Sequence, residues 1–468
     1  MKAILGLSPD ITTKAPGTRK RFTRRVVHNL RRGLAANGIE AKVRPSHARV
    51  HLQANDPRAL LIAQRTFGVH SVMPSHERPL GDLEGLVAEA RDLVVDKVRG
   101  RTFAVRGRVR DPSATFVGHD INMSLGAALV PYAKVDLSHP DVTVRVEVRD
   151  GKVWIYTDVL PGEGGLPVGV GGRALTLLSG GFDSAVASYL LLRRGVAQDF
   201  LCLRLGGDAH ERAAVAVGNH VAMRWFPGLR ARLIIVPFEE TVERLRAEVD
   251  PRYWQLVLKQ LMYRTAAAVA SRTPVEALAT GEALGQVSTQ TLSNLRALDA
   301  SIALPVLRPL LTEDKLRILD VARHVGTHDL SARVPEYCAL DARKPATGAS
   351  PQALGEAAAG LDFDPLAVLE GAATLELPTG MGDADASLEV SRVPEGARVL
   401  DLRSQAARRR HPVDGALQVE PLELLERPET LDAATDYVVV CDVGARSAWF
   451  ARKLRELGVR AWSLRAAT

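Results

Sequence analysis

The chain contains 468 residues, 46% of them hydrophobic and 25% charged, which is the composition of a globular protein and not of a fibrous or disordered one. No apolar run approaches the ~20 residues that a membrane-spanning helix needs, and the apolar start at Met1–Leu7 is too short for a signal peptide, so we expect a cytoplasmic protein. The formal net charge of +7 favours a polyanionic partner. At roughly 100–200 residues per domain, the length predicts about three or four domains.

Residues 1–54 predict a small α/β unit with a strongly basic helix. In the helix expected from about Thr18 to Asn37, apolar side chains recur at every fourth position: Phe22, Val26, Leu30 and Leu34. The other faces carry cations, among them Arg19, Lys20, Arg24, Arg25, Arg31 and Arg32. Such a face is either a solvated surface or a contact with a nucleic-acid backbone, and the pattern leaves both alternatives open.

Residues 55–165 predict a second α/β module. Its strand at Thr102–Arg110 alternates apolar residues with arginine, so that one face joins a core and the other is cationic. Two later strands flank the pair Asp150-Gly151, which is typical of a hairpin. The segments Thr102–Arg110 and His139–Val148 resemble the THUMP domain of RNA-modifying enzymes, and the resemblance implies that residues 1–165 bind structured RNA. The candidate contacts are Arg24, Arg25, Arg106 and Arg108.

A glycine-rich connector at 161–172 precedes the next domain, and such a composition marks a hinge or linker. Four apolar strands then alternate with helical patterns: Leu175–Leu178, Phe200–Leu205, Leu233–Pro237 and Ala277–Thr280. This alternation over residues 173–350 predicts a doubly wound parallel sheet. In such sheets, ligands bind at the carboxyl ends of the strands.

The first of these strands runs into a glycine turn and then a helix, which together predict an anion site. Bare main-chain amides and the positive end of the helix dipole meet there, and they suit a phosphate or pyrophosphate. Gly180 and Gly181 allow the backbone to approach the ligand closely, and Ser179 and Ser184 can add hydroxyl donors. A carboxylate at Asp183 is best explained by bound Mg²⁺ or by contact with a reacting group. The alternative is an ordinary corner in which Ser and Asp cap the helix.

The run from Ser179 to Ser184 resembles the PP-loop of ATP pyrophosphatases, which cleave ATP between the α and β phosphates and place AMP on a carbonyl oxygen. It lacks the Gly-Lys-Ser/Thr ending of the kinase-type nucleotide loop. Two lysines are further candidates. Lys315, near the start of a helix, could direct a cation at phosphate, and Lys259 lies on the helix expected at Tyr253–Ala270. For each of them, an ordinary surface lysine is the alternative.

Several segments together look like the ThiI-type tRNA 4-thiouridine synthetase family: Ser179–Ser184, Gly281–Ser288, Gln290, Asn294–Arg296 and Pro335–Cys338. The resemblance extends from the first domain to the C-terminus. It implies that Asp183 and Lys315 assist adenylation, and the carboxylate of Asp183 makes Mg²⁺ the expected companion of the nucleotide. It also implies an ATP site formed by Leu177, Leu178, Ser179, Gly180, Gly181, Asp183, Ser184, Lys259, Gly281 and Gln290.

The last segment, 396–468, predicts a small α/β unit with a strand, Tyr437–Val440, that ends at Cys441. The sequence from Cys441 to Arg446 is similar to the active loop of rhodanese domains, Cys-x-x-Gly-x-Arg, with Gly444 at the glycine position. Amides at the start of the following helix would stabilise a thiolate or persulfide, and Arg446 would add positive charge. The alternative is a buried structural cysteine at the end of a strand.

The predicted architecture is therefore an α/β multidomain protein. A ferredoxin-like domain (1–54) and a THUMP domain (55–165) precede a PP-loop ATP pyrophosphatase domain (173–350), a linker (351–395) and a rhodanese domain (396–468). Only three cysteines occur, too few and too scattered for a disulfide scaffold or a zinc site. Cys202 falls within an apolar strand and is expected to be structural, which leaves Cys338 and Cys441 for chemistry.

The family resemblance implies an ATP-dependent sulfurtransferase that adenylates uridine 8 of tRNA and delivers sulfur from a Cys441 persulfide. Cys338 would attack that persulfide and leave a Cys338–Cys441 disulfide for an external reductant. The implied partners are tRNA, a cysteine desulfurase as sulfur donor and a sulfur-carrier protein of thiamine thiazole synthesis, and a homodimer is compatible with the fold. Two alternatives stay open: a PP-loop ligase or amidating enzyme for a small metabolite, and a non-catalytic RNA-binding module.

Overall fold

The computed structural model describes residues 1–46, 49–332, 334–335, 340, 344–378, 389–390, 392–403, 408, 412–419, 424, 427–432, 434–441 and 445–464. The chain divides into two compact units, one of residues 1–34 and 38–165 and the other of residues 35–37 and 166–468. Within the described ranges, no helix is both long enough and apolar enough to span a bilayer.

The N-terminal elements are β1 (Lys2–Leu7), α1 (Pro9–Thr12), α2 (Pro16–Ala36), β2 (Ala41–Ser46), β3 (Arg49–Ala54), α3 (Arg58–Arg65), β4 (Val69–Pro74), β5 (His76–Pro79), α4 (Leu83–Val98), β6 (Thr102–Val109), α5 (Gly118–Leu129), β7 (Lys134–Val135), β8 (Val142–Arg149), β9 (Lys152–Tyr156) and β10 (Leu160–Pro161). The first sheet is antiparallel and has the order β10-β4-β1-β3-β2. Helix α2 buries its residues Phe22, Val26, Leu30 and Leu34, as the periodicity predicts. Because β4 pairs with β1, the sheet includes residues on both sides of position 54, where the sequence placed a domain boundary.

The second sheet has the order β5-β9-β8-β6-β7 and is mixed, because β6 runs parallel to β8 while β9 runs antiparallel to it. Apolar residues of α4 and α5 form a core with its strands. Asp150 and Gly151 have φ angles of 51° and 68° and connect β8 to β9, so the predicted hairpin is confirmed. On β6, the side chains of Arg106 and Arg108 are exposed.

The remaining helices and strands are β11 (Arg173–Leu177), α6 (Phe182–Arg193), β12 (Ala197–Arg204), α7 (Gly207–Trp225), β13 (Ala231–Pro237), α8 (Glu239–Glu248), α9 (Trp254–Ser271), β14 (Ala277–Ala279), α10 (Leu292–Asp299), β15 (Val306–Leu307), α11 (Lys315–Val325), α12 (His328–Ser331), α13 (Pro351–Ala358), α14 (Pro365–Val368), β16 (Ala373–Leu377), β17 (Glu389–Val390), β18 (Arg398–Asp401), β19 (Leu417–Gln418), β20 (Tyr437–Val440), α15 (Ala445–Glu456) and β21 (Ala461–Leu464), with 3₁₀ turns at Pro251–Tyr253, Leu369–Gly371 and Pro428–Thr430. A six-stranded sheet has the order β15-β14-β11-β12-β13-β16. Its first five strands pair in parallel, which confirms the predicted parallel sheet.

The segment 351–395, expected as a linker, contributes structure to this domain. Helix α13 places Leu354 in the main core, and β16 forms an antiparallel edge strand on β13. Leu377, at the end of β16, is fully buried and packs against Gly218 of α7. The five residues of β16 are too few for their alternation to distinguish a strand from a loop, which is why the sequence did not predict it.

The last sheet is separate from the six-stranded one and has the order β17-β21-β20-β18-β19. All of its pairs are parallel. Phe450, Ala451 and Leu454 of α15 are fully buried in the core that this sheet forms. Parallel strands with a covering helix agree with the α/β unit expected after residue 396.

Candidate functional site

The loop between β11 and α6 has the geometry of an anion site. Gly180 has a φ of +81°, and a Cβ atom there would lie 3.1 Å from the carbonyl carbon of Ala213, so only glycine fits without strain. Gly181 is the residue that precedes α6, and no side chain caps the helix there. The first-turn amides of α6 are therefore available to a phosphate at the carboxyl edge of the parallel sheet.

The polar side chains of this loop do not act as helix caps, which argues against an ordinary corner. The Ser184 hydroxyl donates to the Gly181 carbonyl at 3.1 Å, and the Ser179 hydroxyl accepts from the Gly181 amide at 3.4 Å. The Asp183 carboxylate instead accepts from Lys315 Nζ at 2.9 Å and from Gln286 Nε2 at 2.8 Å. The structure thus brings the two residues expected to assist adenylation into one ion pair beside the loop.

Lys315 is placed by the start of its own helix. It is the first residue of α11, and the side chain of Asp314 caps that helix by accepting from the Arg317 amide at 2.8 Å. The lysine therefore lies at the very start of the helix, in agreement with the position that the sequence predicts. Its Nζ also lies 5.6 Å from the centre of the Phe182 ring. This cation–π interaction helps to hold the ammonium beside Phe182, the first residue of α6.

Gly281 brings a second strand end against the loop. It follows β14, and a Cβ atom there would lie 2.6 Å from the Asp183 carbonyl carbon and 2.8 Å from the Ser184 nitrogen. Both contacts are with main-chain atoms, so the hydrogen of glycine is all that fits. The carboxyl ends of β11 and β14 are thereby packed together at the first turn of α6.

Lys259 belongs to a buried ion network that the sequence does not reveal. The Glu282 carboxylate accepts from Lys259 Nζ at 2.9 Å, from the Tyr263 hydroxyl at 2.6 Å and from Arg308 Nε at 2.8 Å. Burial raises the pKa of Glu282, but these three donors outweigh burial and bring the pKa down to about 2. A second carboxylate, Asp299, pairs with the other side of Arg308 at 3.0 Å. The network holds the Lys259 ammonium on the side chain of Glu282, the residue that follows Gly281.

Gln290 offers an unused acceptor in the loop that follows β14. Its main-chain oxygen accepts from the Gly285 amide at 2.8 Å, which closes a tight turn after β14. The side chain is buried, yet among the described residues its Oε1 atom has no hydrogen-bond partner, and the same holds for Oγ1 of the neighbouring Thr289. Buried polar atoms are normally paired, so these two atoms favour a ligand at this turn.

Cys441 lies directly after β20 and is buried, and α15 begins at Ala445. Its thiol donates to Ser447 Oγ at 3.3 Å and accepts from the Ser447 amide at 3.2 Å. The Ser447 hydroxyl is also 2.8 Å from Ser463 Oγ. Arg446 lies in the first turn of α15, whereas Gly444 and Cys338 lie outside the described residues.

The arginines expected to contact RNA are on the surface of the N-terminal unit. Arg24 and Arg25 are exposed on α2, and Arg106 and Arg108 are exposed on β6. Arg106 Nη2 donates to the Leu137 carbonyl at 2.7 Å, which orients that side chain. A pocket within this unit is lined by Arg108 together with Trp154 and three arginines that were not among the candidate contacts: Arg49, Arg110 and Arg149.

A metal site built from protein side chains alone is not found in the described part of the chain, where no three His, Cys, Asp or Glu residues lie close enough to hold one. Mg²⁺ usually keeps several waters and reaches a protein through phosphates and one or two carboxylates. Asp183 is the carboxylate at the loop, so the residues present fit an ion that arrives with a nucleotide.

Comparison with known proteins agrees with this arrangement. Residues 169–363 match the family model described as thiamine biosynthesis protein (ThiI), residues 81–158 match the THUMP domain, and residues 8–73 match the ThiI ferredoxin-like domain. The tRNA sulfurtransferase of Desulfurococcus amylolyticus is 34% identical over 99% of this chain and 96% of its own length. The tRNA sulfurtransferase of Haemophilus influenzae is 33% identical over 98% of each chain.

Two solved structures are also similar. One is a 4-thiouridine synthetase–RNA complex with bound ATP, which is 27% identical, has a TM-score of 0.71, and is matched over 80% of this chain and 99% of that chain. The other is the protein PH1313 of Pyrococcus horikoshii, which is 22% identical, has a TM-score of 0.54, and is matched over 70% of this chain and 100% of that chain. The second match shows the fold alone.

Proposed function

Because this chain belongs to the ThiI family of tRNA sulfurtransferases, we propose that it uses ATP to replace the 4-oxygen of uridine 8 in tRNA by sulfur. One observation carries the proposal: an uncapped helix start beside Gly180, with the Asp183–Lys315 ion pair next to it, at the carboxyl edge of a parallel sheet. This arrangement can bind the phosphates of ATP and place a cation beside them.

Adenylation solves the problem that a carbonyl oxygen is a poor leaving group. The uridine O4 attacks the α-phosphorus of ATP, the bond to the β-phosphate oxygen breaks, and pyrophosphate leaves. The amides of the loop and of α6 hold the phosphates, while Lys315 balances the charge that develops on them. Lys259 and Gln290 would complete the nucleotide site. Mg²⁺ bound with ATP would neutralise further charge, with Asp183 as its protein ligand.

Sulfur transfer then uses the cysteines. The terminal sulfur of a Cys441 persulfide attacks C4 of the adenylated base, and AMP leaves with the oxygen. The Cys338 thiolate attacks the Cys441 sulfur, which releases 4-thiouridine and forms a Cys338–Cys441 disulfide; alternatively, Cys338 attacks the persulfide first and frees sulfide. An external dithiol reduces the disulfide. The Ser447 amide and hydroxyl, 3.2 and 3.3 Å from the sulfur, would stabilise its anionic forms.

Residues 1–165 would position the tRNA through its phosphates. Arg24, Arg25, Arg106 and Arg108 are exposed and can each neutralise one phosphate. Changing any of them to alanine should weaken tRNA binding and reduce the slope of log affinity against log salt by about 0.7–0.9. Sulfur donation by a cysteine desulfurase, supply of the thiamine thiazole through a sulfur-carrier protein, a cytoplasmic location and a homodimer stay predictions.

The decisive experiment incubates purified protein with tRNA, ATP, cysteine and a cysteine desulfurase, and measures the nucleosides of the tRNA together with pyrophosphate and AMP. The wild-type protein should form 4-thiouridine. Cys441→Ala should form none while it still binds tRNA and releases pyrophosphate, because adenylation precedes the attack of sulfur. Cys202→Ala is the matched control, because Cys202 is buried within β12 and its loss should leave thiolation intact.

The same assay separates the alternatives. Full thiolation by the Cys441 variant would refute the persulfide role. AMP release that does not depend on tRNA would favour a ligase for a small metabolite. A complete absence of AMP production in the presence of substrate tRNA would favour a non-catalytic RNA-binding module.

A further inference from the structure

A buried histidine lies behind the anion loop and connects two strand ends. His210 belongs to the first turn of α7, and it is almost fully buried. Its Nδ1 atom accepts from the Leu205 amide at 3.1 Å, and its Nε2 atom is 3.2 Å from the Ser179 carbonyl oxygen. Leu205 follows β12 and Ser179 follows β11, so the ring bridges the carboxyl ends of two neighbouring parallel strands.

The two contacts determine the protonation state of the ring. Because Nδ1 accepts from a main-chain amide, the single proton of the neutral ring must be on Nε2, where it is donated to the Ser179 carbonyl. Burial lowers the pKa of His210, and the bond to Ser179 and the nearby Glu239 oppose that effect only in part. Glu239 is itself paired with Arg204 at 2.8 Å, and Arg204 also pairs with Glu211.

The direction of the Ser179 carbonyl decides the direction of the next amide. The peptide bond between Ser179 and Gly180 is trans, so its C=O and N–H groups point in opposite directions. With the carbonyl held toward His210 on α7, the Gly180 amide points away from α7. Gly180 itself is packed tightly against Ala213 and Ala214 of that helix, so the loop cannot retreat. If this peptide flipped, a carbonyl oxygen would replace the amide, and it would repel a phosphate.

We propose that His210 is a positioning residue for ATP: its Nε2–H holds the Ser179 carbonyl away from the phosphates, so that the Gly180 amide faces them. The inference rests on the proposed function, which makes ATP the ligand of the loop. The histidine acts through the main chain and does not contact the nucleotide. A sequence-based search would not find it, because a histidine in the first turn of a helix carries no motif of its own.

Two substitutions separate the two hydrogen bonds of His210. In His210→Gln, the amide nitrogen reaches about as far as Nε2 and keeps a donor for Ser179. In His210→Asn, the amide oxygen lies near the position of Nδ1 and keeps an acceptor for Leu205. Each variant loses one of two buried bonds, so a purely structural role would affect both in the same way, and only the Asn variant loses the bond that sets the loop.

The test measures ATP binding by calorimetry and the KM and kcat of tRNA-dependent AMP release. We expect His210→Gln to bind ATP within a few-fold of the wild type, and His210→Asn to bind it roughly tenfold more weakly, the ratio for one lost hydrogen bond. The loss should appear in the KM for ATP more than in kcat. Equal ATP affinity of the two variants would overturn the inference. A wild-type protein that binds no ATP would instead overturn the proposed function.

A second measurement is made on the wild-type protein itself, and a variant serves only to identify the His210 signals. In ¹⁵N spectra of the wild-type protein at pH 7, with the His210 signals identified by their loss in His210→Gln or His210→Ala, we expect the neutral Nε2–H tautomer. A protonated ring, or a ring with its proton on Nδ1, would refute the donor role of Nε2.

Discussion

Gly281 is the position where a small change should test the site most directly. In Gly281→Ala, the methyl group would start 2.6 Å from the Asp183 carbonyl carbon, whereas ordinary contact begins near 3.4 Å. The difference between 3.4 and 2.6 Å means that the start of α6 or the end of β14 must move by about 0.8 Å. Overpacking of this kind costs about 1–3 kcal/mol of unfolding free energy. A misplacement of nearly 1 Å at the reacting groups lowers the rate by about 10²-fold.

The assay is the KM for ATP and the kcat of tRNA-dependent AMP release, with urea unfolding of the same samples. The matched control is Gly348→Ala, because a Cβ atom at Gly348 meets nothing within 4 Å and its backbone needs no positive φ. We expect the control to behave as the wild type and Gly281→Ala to lose most of its AMP release while its tRNA affinity is unchanged. Wild-type KM and kcat in Gly281→Ala would refute the packing argument and the location of the nucleotide at this strand end.

The Asp183–Lys315 ion pair, the Cys441 sulfur and the buried His210 ring each give one further prediction. Lys315→Met removes the ammonium 2.9 Å from Asp183 and should lower the kcat of AMP release by about 10²-fold at unchanged tRNA affinity; wild-type release would contradict its role. Ser447→Ala removes a hydroxyl 3.3 Å from the Cys441 sulfur and should slow 4-thiouridine formation about two- to tenfold without slowing the first release of pyrophosphate, which nucleoside analysis beside a single-turnover pyrophosphate assay would check. The folded-state pKa of His210 lies below its ordinary 6.5, so its contribution to stability is complete above pH 6.5 and is lost as the pH falls through the lowered value. The free energy of unfolding measured in urea should therefore fall more on acidification for the wild type than for His210→Gln. An equal pH dependence of the two proteins would contradict this.

Much of the fold could be predicted because it rests on local patterns. The four-residue spacing of Phe22, Val26, Leu30 and Leu34 predicted the buried face of α2, and the strand–helix alternation predicted the parallel sheet. The edge strand β16 of the six-stranded sheet was not predicted. β16 is only five residues long, and it becomes a strand because β13 offers it a partner 138 or more positions earlier in the chain, as in the pair Ile235 and Ala373.

The candidate site divides in the same way. The sequence by itself determined the anion loop, because a strand, two glycines and a helix start specify a local main-chain geometry that needs no distant partner. Only the tertiary structure decided which side chains face it. Asp183 pairs with Lys315, and Glu282 pairs with Lys259. The His210 ring contacts the Ser179 carbonyl. The partners in these three contacts are 23 to 132 positions apart in the chain. Such contacts depend on how the strand ends converge at one edge of the sheet, and no local pattern of residues records that convergence.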